Sequence, residues 1–435
     1  MNLREKIDQS PMSMYQWAIV AMAAIMNFLD GFDVLAIAFT ATNISKDFAL
    51  SKTEFGVLIS AGLVGMVVGS MALAPLADKF GRRPILLLSV AFSAIGLCLS
   101  GFSGNPEILG ASRILTGLGV GGILVGTNVI TSEYSSKKWR SFAISIYAAG
   151  FGIGAMIGGI MAKSLQATYS WHAVYFAGAA MTFLVFIVLL IWLPESIDYL
   201  NSKQPQNAKI RLNRIAHRLG FSGEWELTER NHTVQTNLPI SQLFGKKYLR
   251  PTLLLWLSFF AIMFCFYFIS SWTPALLKEA GMTVEESINV GMMISLGGAA
   301  GSVLYGLIAS RWSARNVLIL FTIASAIAIL IFISASSNLS LAMACGVLVG
   351  ALINGCISGL YTINPATYDA EIRNTGVGWA IGAGRAGSVL APTVAGILLD
   401  AGWEKQTLYV AVAGVMLIAT IALAFKKSHV ELKSL

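Results

Sequence analysis

The stretch Asn27-Phe28-Leu29-Asp30-Gly31-Phe32-Asp33 sets two carboxylates at spacing i, i+3 inside a run that is otherwise apolar from Trp17 to Phe39. Such a run is long enough for a helix to cross a bilayer. An ionised carboxylate near the bilayer centre is costly, so such residues face a bundle interior or a water-filled cavity and act there. At this spacing both side chains lie on roughly one face of the helix. Two like charges that close in a low dielectric do not both ionise readily, which is the chemistry of a proton carrier. The competing reading is an aspartate that pairs with a basic residue on a neighbouring helix to fix packing.

Two arginines, Arg113 and Arg385, also fall inside apolar spans. Arg385 follows Arg373 by twelve residues, roughly 18 Å of helix at 1.5 Å per residue, which carries it well into the bilayer. A guanidinium there needs a carboxylate, and its planar fork suits bidentate recognition. The partners open to these arginines are Asp30, Asp33 or the carboxylate of a bound substrate, with a purely structural ion pair as the plainer reading. Other mid-span polar groups, Asn128, Tyr147, Asn354, Ser358 and Tyr361, must also find partners in the membrane interior. The seventh span is rich in rings, among them Phe259, Phe260, Tyr267 and Trp272, which suit an aromatic ligand but equally a lipid-facing or core role. The candidate substrate ligands are therefore Arg385, Asn128, Tyr147, Tyr267, Asn354 and Tyr361; the candidate proton-coupling residues are Asp30 and Asp33.

The elements that must position these residues are helical spans. With 435 residues, 56% of them hydrophobic, only 12% charged and a mean hydropathy of +0.70, the chain is far more apolar than a soluble protein, where about a quarter of residues are charged. It reads as an all-α integral membrane protein. The net charge of +8 does not indicate nucleic acid, because the basic residues are spread through short loops instead of forming one stripe. Cys98, Cys265, Cys345 and Cys356 lie in apolar segments without metal-ligand spacing, so free buried thiols and no metal or cofactor are expected. The first apolar run is too long, and lacks the small-residue cleavage pattern, for a signal peptide, so it is expected to remain in the mature protein.

Apolar windows predict twelve transmembrane helices near 15–40, 53–75, 84–103, 107–131, 140–164, 172–194, 248–275, 285–310, 314–335, 339–366, 374–400 and 404–426. With both termini placed inside, the inner loops and tails hold 23 Lys and Arg and the outer loops five (Lys46, Lys52, Lys163, Lys278 and Lys405). That bias supports the orientation. One long hydrophilic segment, 195–247, divides a first six-helix bundle (1–194) from a second (248–435). Within it, Ile210, Ile215 and Leu219 make a modest helical stripe among basic residues, which predicts a short amphipathic helix on the inner surface. His217 and His232 in this linker read as solvated.

The halves look related. Ala74-Pro-Leu-Ala-Asp78-Lys-Phe-Gly81-Arg82-Arg83-Pro84 lies 232 residues before Gly306-Leu-Ile-Ala-Ser310-Arg311-Trp-Ser-Ala-Arg315, and Arg140 lies 233 before Arg373, next to Asp369 and Glu371. Six spans per half is the architecture of a rocking transporter.

The loop around Asp78, the run Arg113-Ile-Leu-Thr-Gly117-Leu-Gly119-Val-Gly121-Gly122, the glycines Gly150, Gly152, Gly154, Gly158 and Gly159, and Leu193-Pro194-Glu195-Ser196 together resemble the major facilitator superfamily along the whole chain. Within it, Asp30-Gly31-Phe32-Asp33, Gly376-Val-Gly-Trp379 and Gly384-Arg385-Ala386-Gly387 resemble the aromatic acid:proton symporter family. The resemblance implies the major facilitator fold, a proton-coupling role for Arg113, whose span is similar to the family's proton-coupling helix, and an inner gate of Asp78, Gly81, Arg82, Arg83, Glu133 and Arg140. Physically, Asp78 beside Lys79, Arg82 and Arg83 can form ion pairs that hold helix ends together in one state and release them in another. Glu133 precedes the cluster Lys137, Lys138 and Arg140 by about two turns and is expected to pair there. Ala74 stands where the family's loop motif opens with glycine, and Ser310 where many relatives carry an acid, so the second copy is not expected to form the same latch. The glycine-rich spans four, five, eight and eleven allow close helix approach, which suits rocking interfaces and ordinary packing alike.

The expected function is secondary active uptake, coupled to protons, of a small organic anion: a benzoate-, hydroxybenzoate- or muconate-like carboxylate. The alternative is a proton-driven exporter of drugs or metabolites, for which acids without a matching cation would be the signature. An enzyme or sensor finds no support, because there is no nucleotide loop and no metal-ligand cluster. The expected setting is a bacterial-type inner membrane with both termini cytoplasmic, the bilayer and the transported anion and protons as partners, and a monomeric chain.

Overall fold

The computed structural model describes residues 2–227, 240–335, 338–368 and 372–426. His232, Asp369 and Glu371 lie outside the described residues. The described chain is helical, in the order α1 (Leu3–Gln9), α2 (Met14–Asp47), α3 (Lys52–Phe80), α4 (Arg82–Gly101), α5 (Pro106–Tyr134), α6 (Arg140–Thr168), α7 (Trp171–Trp192), α8 (Ile197–Lys203) and α9 (Ala208–Arg218). A 3-10 turn at Ile240–Phe244 leads to α10 (Leu249–Glu279), α11 (Val284–Ala309), α12 (Ala314–Ser334), α13 (Leu339–Ile363), α14 (Arg373–Asp400) and α15 (Lys405–Phe425). Twelve of these, α2–α7 and α10–α15, are long and apolar enough to cross a membrane. They coincide with the twelve predicted spans. Several run longer than their apolar windows: α2 has 34 residues, about 51 Å at 1.5 Å per residue, against a hydrocarbon core of about 30 Å.

The chain forms two compact units. The first comprises the chain up to Ala36, then Ala61–Met161, then Leu165 through α9; in it α4 packs on α5 and α7. The second comprises Ile37–Ser60, Ala162–Ser164 and α10–α15, with α11 on α13, α10 on α14, and α12 against α13 and α15. The hairpin Ile37–Ser60 is therefore built into the unit that holds α10–α15. Its helix α3 opens on a capping box, the Ser51 hydroxyl accepting from the Glu54 amide (3.2 Å) and the Glu54 carboxylate from the Ser51 amide (2.8 Å). The Asp400 carboxylate at the end of α14 accepts from the remaining amides of Lys52 (3.1 Å) and Thr53 (2.8 Å). An acid at a helix N-terminus satisfies orphan donors and complements the dipole. Deeper in, Phe55 meets Trp272 edge-on at 5.7 Å and the Ser60 hydroxyl donates to the Val389 carbonyl at 2.7 Å.

The linker helix α9 forms, but its buried face differs from the predicted stripe. Ala208, Leu212, Ile215, Ala216 and Leu219 are buried, whereas Ile210 is 59% exposed. The buried set follows i, i+4, i+7, i+8, i+11, a complete apolar stripe. Ile210 falls about 200° from Leu212 around a helix of 3.6 residues per turn and so points away. The stripe packs on Leu3 and Ile7 of α1, Tyr134, Leu193 and α8, so α9 caps the end of its own unit. His217 is exposed, as expected. All four cysteines are free; Cys265 and Cys356 are buried, but Cys98 and Cys345 are only half-buried.

Candidate functional site

In the first unit, α2 is held against α6 by glycine. A Cβ on Gly150 would strike the Ala24 carbonyl, one on Gly154 the Phe28 carbonyl, and one on Gly31 the Phe151 carbonyl. Backbones that close demand glycine on the shared face. The Asn27 amide adds a fixed rotation by donating to the Tyr147 carbonyl of α6 at 2.8 Å. In that rotation Asp30 and Asp33 are each 2% exposed. Glycine serves α5 in the same way, with Gly117 against the Gly62 carbonyl and Gly121 against the Met66 carbonyl of α3.

These contacts bring Arg113 of α5 onto Asp33 of α2. Arg113 Nη1 donates to Asp33 Oδ1 at 2.6 Å, while Nη2 donates to Oδ2 and to the Asp33 carbonyl, both at 3.1 Å. The guanidinium carbon also stands 5.8 Å from the ring centroid of Tyr175 on α7. Of the partners open to Arg113, the structure selects Asp33. Bidentate geometry and a third acceptor are what allow an ion pair to survive burial, since each ion has lost its water.

In the second unit, Arg385 lies half-buried on α14. Its neighbours on the helix fix α14 to α10: Gly384 packs on Phe259 and Met263, and a Cβ on Gly387 would strike the Phe260 carbonyl. Phe259 in turn meets Tyr361 of α13 edge-on, with ring centroids 6.0 Å apart and planes at 85°. Tyr361 is exposed and Tyr267 is buried against Phe266. The Asn354 amide donates to the Gly350 carbonyl one turn back on its own helix (3.1 Å). In the first unit Asn128 is exposed, whereas Tyr147 is 7% exposed and lends its carbonyl to Asn27.

A second polar centre lies where α3 meets α4. Gly81 has φ of +107°, a conformation that favours glycine and lets the chain turn sharply between the helices. No side chain at the start of α4 caps it. Glu195 does so from beyond α7: its Oε1 accepts from the amides of Arg82 (2.8 Å), Arg83 (3.0 Å) and Ser196 (2.9 Å). Arg82 ion-pairs with Glu133, whose other oxygen accepts from the Ser196 hydroxyl at 2.7 Å and the Ile197 amide at 3.1 Å.

This arrangement corrects the expected pairing of Glu133 with the Lys137, Lys138 and Arg140 cluster. Glu133 is 2% exposed and faces the start of α8, where amides and Arg82 supply donors; Arg140 pairs with Asp8 of α1 instead. Asp78 is peripheral, with a side chain 70% exposed and 3.5 Å from Arg82. Arg83 donates to the Leu190 carbonyl at 2.6 Å. Spacing alone does not mark Glu195, Ser196 or Asp8 as site residues. The available signal was an acid and a hydroxyl placed directly after Pro194, where a helix ends. In the second copy of the loop, Arg315 Nε and Nη2 donate to the carbonyls of Leu423 (3.0 Å) and Ala424 (2.6 Å) at the end of α15. Burial, then the charge of Arg315, pulls the nearby Lys426 ammonium down to about 8.

The family model described as Major Facilitator Superfamily matches residues 23–304 and 281–434. The 4-hydroxybenzoate transporter PcaK of Pseudomonas aeruginosa is 30% identical, over 97% of this chain and 94% of that protein. The gallate transporter of Pseudomonas putida is also 30% identical, over 100% of this chain and 96% of that protein. Among solved structures, the inward open conformation of the xylose transporter XylE from E. coli superposes with a TM-score of 0.77 at 16% identity, covering 96% of this chain and 99% of that one. At that identity the likeness bears on the fold alone.

Proposed function

The chain belongs to the major facilitator superfamily, among its aromatic acid transporters, and from that premise we propose that it is a proton-coupled symporter that takes up a small aromatic carboxylate of the hydroxybenzoate or benzoate kind. The observation that carries this reading is the buried, bidentate Asp33–Arg113 pair one turn from Asp30 on the same helix. Since Arg113 occupies both oxygens of Asp33, the proposal gives the transported proton to Asp30 and makes the Asp33–Arg113 pair its electrostatic partner. Arg385 receives the substrate carboxylate, for which its fork is suited, and the edge-to-face rings of Phe259 and Tyr361 offer the stacking that an aromatic acid would use. Asn128, Tyr147, Tyr267 and Asn354 are secondary candidates for polar contacts to the ligand. Proton and anion then favour one another's binding, which is what coupling requires.

The same proposal places the protein in a bacterial-type inner membrane with both termini cytoplasmic, acting as a monomer. It assigns the inner gate to the network of Arg82, Glu133, Glu195 and Ser196 with Gly81 as its turn, with Asp78, Arg83 and Arg140 at its edge. The substrate class is tested by competition. Uptake of radiolabelled benzoate into proteoliposomes should be inhibited by hydroxybenzoates and gallate, and not by xylose or a cationic dye. Competition by the dye but not by the aromatic acids would refute the assignment and favour an exporter.

A further inference from the structure

A cavity of about 600 Å³ opens between α9 and the adjoining ends of α4 and α7 in the first unit. Arg83, Arg211, Arg214 and Arg218 line it, with Glu195 as its one carboxylate. Glu195 Oε1 is already held by three amides. The arginines have more donors than the protein gives them acceptors. Arg83 Nε is buried without a hydrogen-bond partner, and among the described residues no hydrogen bond or ion pair engages the side chains of Arg211 or Arg214. Arg218 gives a long hydrogen bond, 3.5 Å, to the Tyr15 hydroxyl, its guanidinium carbon 5.9 Å from the centroid of that ring, and among the described residues no carboxylate pairs with it. By contrast Lys209 on the same helix is satisfied by Glu226 at 2.7 Å and Glu224 at 3.5 Å.

Positions 211, 214 and 218 follow i, i+3, i+7, so α9 aligns three cations on one face. Like charges so aligned repel, unless an anion lies among them. The opposite wall is apolar and includes Leu87 and Ile191. Ile191 is 63% exposed and continues a stripe along α7 through Leu184 (64%), Ile187 (40%) and Val188 (43%), a span long and apolar enough to meet lipid.

We propose that this cavity binds the phosphate headgroup of an anionic phospholipid, the arginines taking the phosphate and the exposed stripe of α7 taking an acyl chain. An anionic phosphate group is the chemistry shared with soluble phosphates, and the arginine fork suits both. The stripe of α7 favours the lipid, because a free phosphate gains nothing from an apolar wall that leads away along a spanning helix. Basic pockets at the ends of membrane helices hold anionic headgroups in this way. The cavity shares Arg83 and Glu195 with the proposed inner gate, whereas Arg211, Arg214 and Arg218 belong to neither the gate nor the transport assignment and so test the lipid site separately.

The test is native mass spectrometry of the full-length purified protein titrated with phosphatidylglycerol or with phosphatidylcholine of the same chains. Phosphatidylglycerol adducts should form at lower concentration and survive higher activation. The double variant Arg211→Ser/Arg214→Ser should weaken them by about tenfold or more, each basic group near a lipid surface contributing roughly a factor of five. Lys209→Ser, which removes a cation already paired within the protein, should leave them unchanged. Millimolar glycerol 1-phosphate should fail to displace the lipid. Equal phosphatidylglycerol binding by the double variant and the unaltered chain would overturn the proposal. So would displacement by glycerol 1-phosphate, which would make the cavity a site for soluble phosphates.

Discussion

Asp33 and Arg113 face one another with side chains 3% and 4% exposed, so removing either leaves the other as a buried charge without its counter-ion. Such removals cost about 3–5 kcal/mol. Arg113→Ala and Asp33→Asn should each lower the thermal midpoint of the purified protein, and Asp33→Asn/Arg113→Gln should regain part of the loss without regaining accumulation. A double variant no more stable than either single would show that the two charges do not depend on one another. At Arg385 the fork is the issue. Arg385→Lys keeps the charge but loses bidentate geometry, so equilibrium binding of 4-hydroxybenzoate should weaken nearly as much as in Arg385→Ala. Undiminished binding in both would make the residue structural. These charges were legible in the sequence because an ionised group in an apolar run stands out. Their pairing was not, since spacing puts Asp30 and Asp33 on one face and leaves both open to Arg113. The choice is made by glycine contacts such as Gly154 on Phe28, which fix how α2 is rotated.

Helix α6 approaches α2 at backbone distance, so a methyl group is costly there. Gly154→Ala would drive a Cβ into the Phe28 carbonyl, and overpacking of this kind costs about 1–3 kcal/mol. Gly414→Ala on α15, where nothing lies within 4 Å, should be neutral or slightly stabilising, because glycine inside a helix is disfavoured by about 0.5–1 kcal/mol. Equal thermal midpoints for the two variants would contradict this packing. At the α3–α4 turn the same measurement separates two acids. Glu195→Ala strips acceptors from three amides and should cost about 1–3 kcal/mol, whereas the exposed Asp78 should contribute under about 1 kcal/mol as a surface ion pair. The reverse order would return Asp78 to the centre of the network. The Asp78 loop was visible as a motif, but Glu195 reaches Arg82 across 113 positions of chain, a distance no local pattern records. The linker helix was visible in its basic residues. Its register was not, because α9 completes its buried stripe with Leu212 and Ala216 and turns Ile210 outward.

On the scale of the molecule, twelve spans could be read directly, since an apolar window of about twenty residues has few other uses. The composition of the units could not. Ile37–Ser60 packs with α10–α15 through Asp400, Trp272 and Val389, and such contacts leave no trace in hydropathy. The central claim, that a proton gradient drives an aromatic acid across these spans through Asp30, rests on a buried acid beside a neutralised ion pair. It is tested most directly by uptake of radiolabelled 4-hydroxybenzoate into proteoliposomes under an imposed inward proton gradient. The unaltered chain should accumulate the acid above equilibrium and lose it when a protonophore is added, while Asp30→Asn should fail to accumulate yet still exchange internal for external substrate. Accumulation that persists after the gradient has collapsed, or that Asp30→Asn sustains at the rate of the unaltered chain, would contradict it.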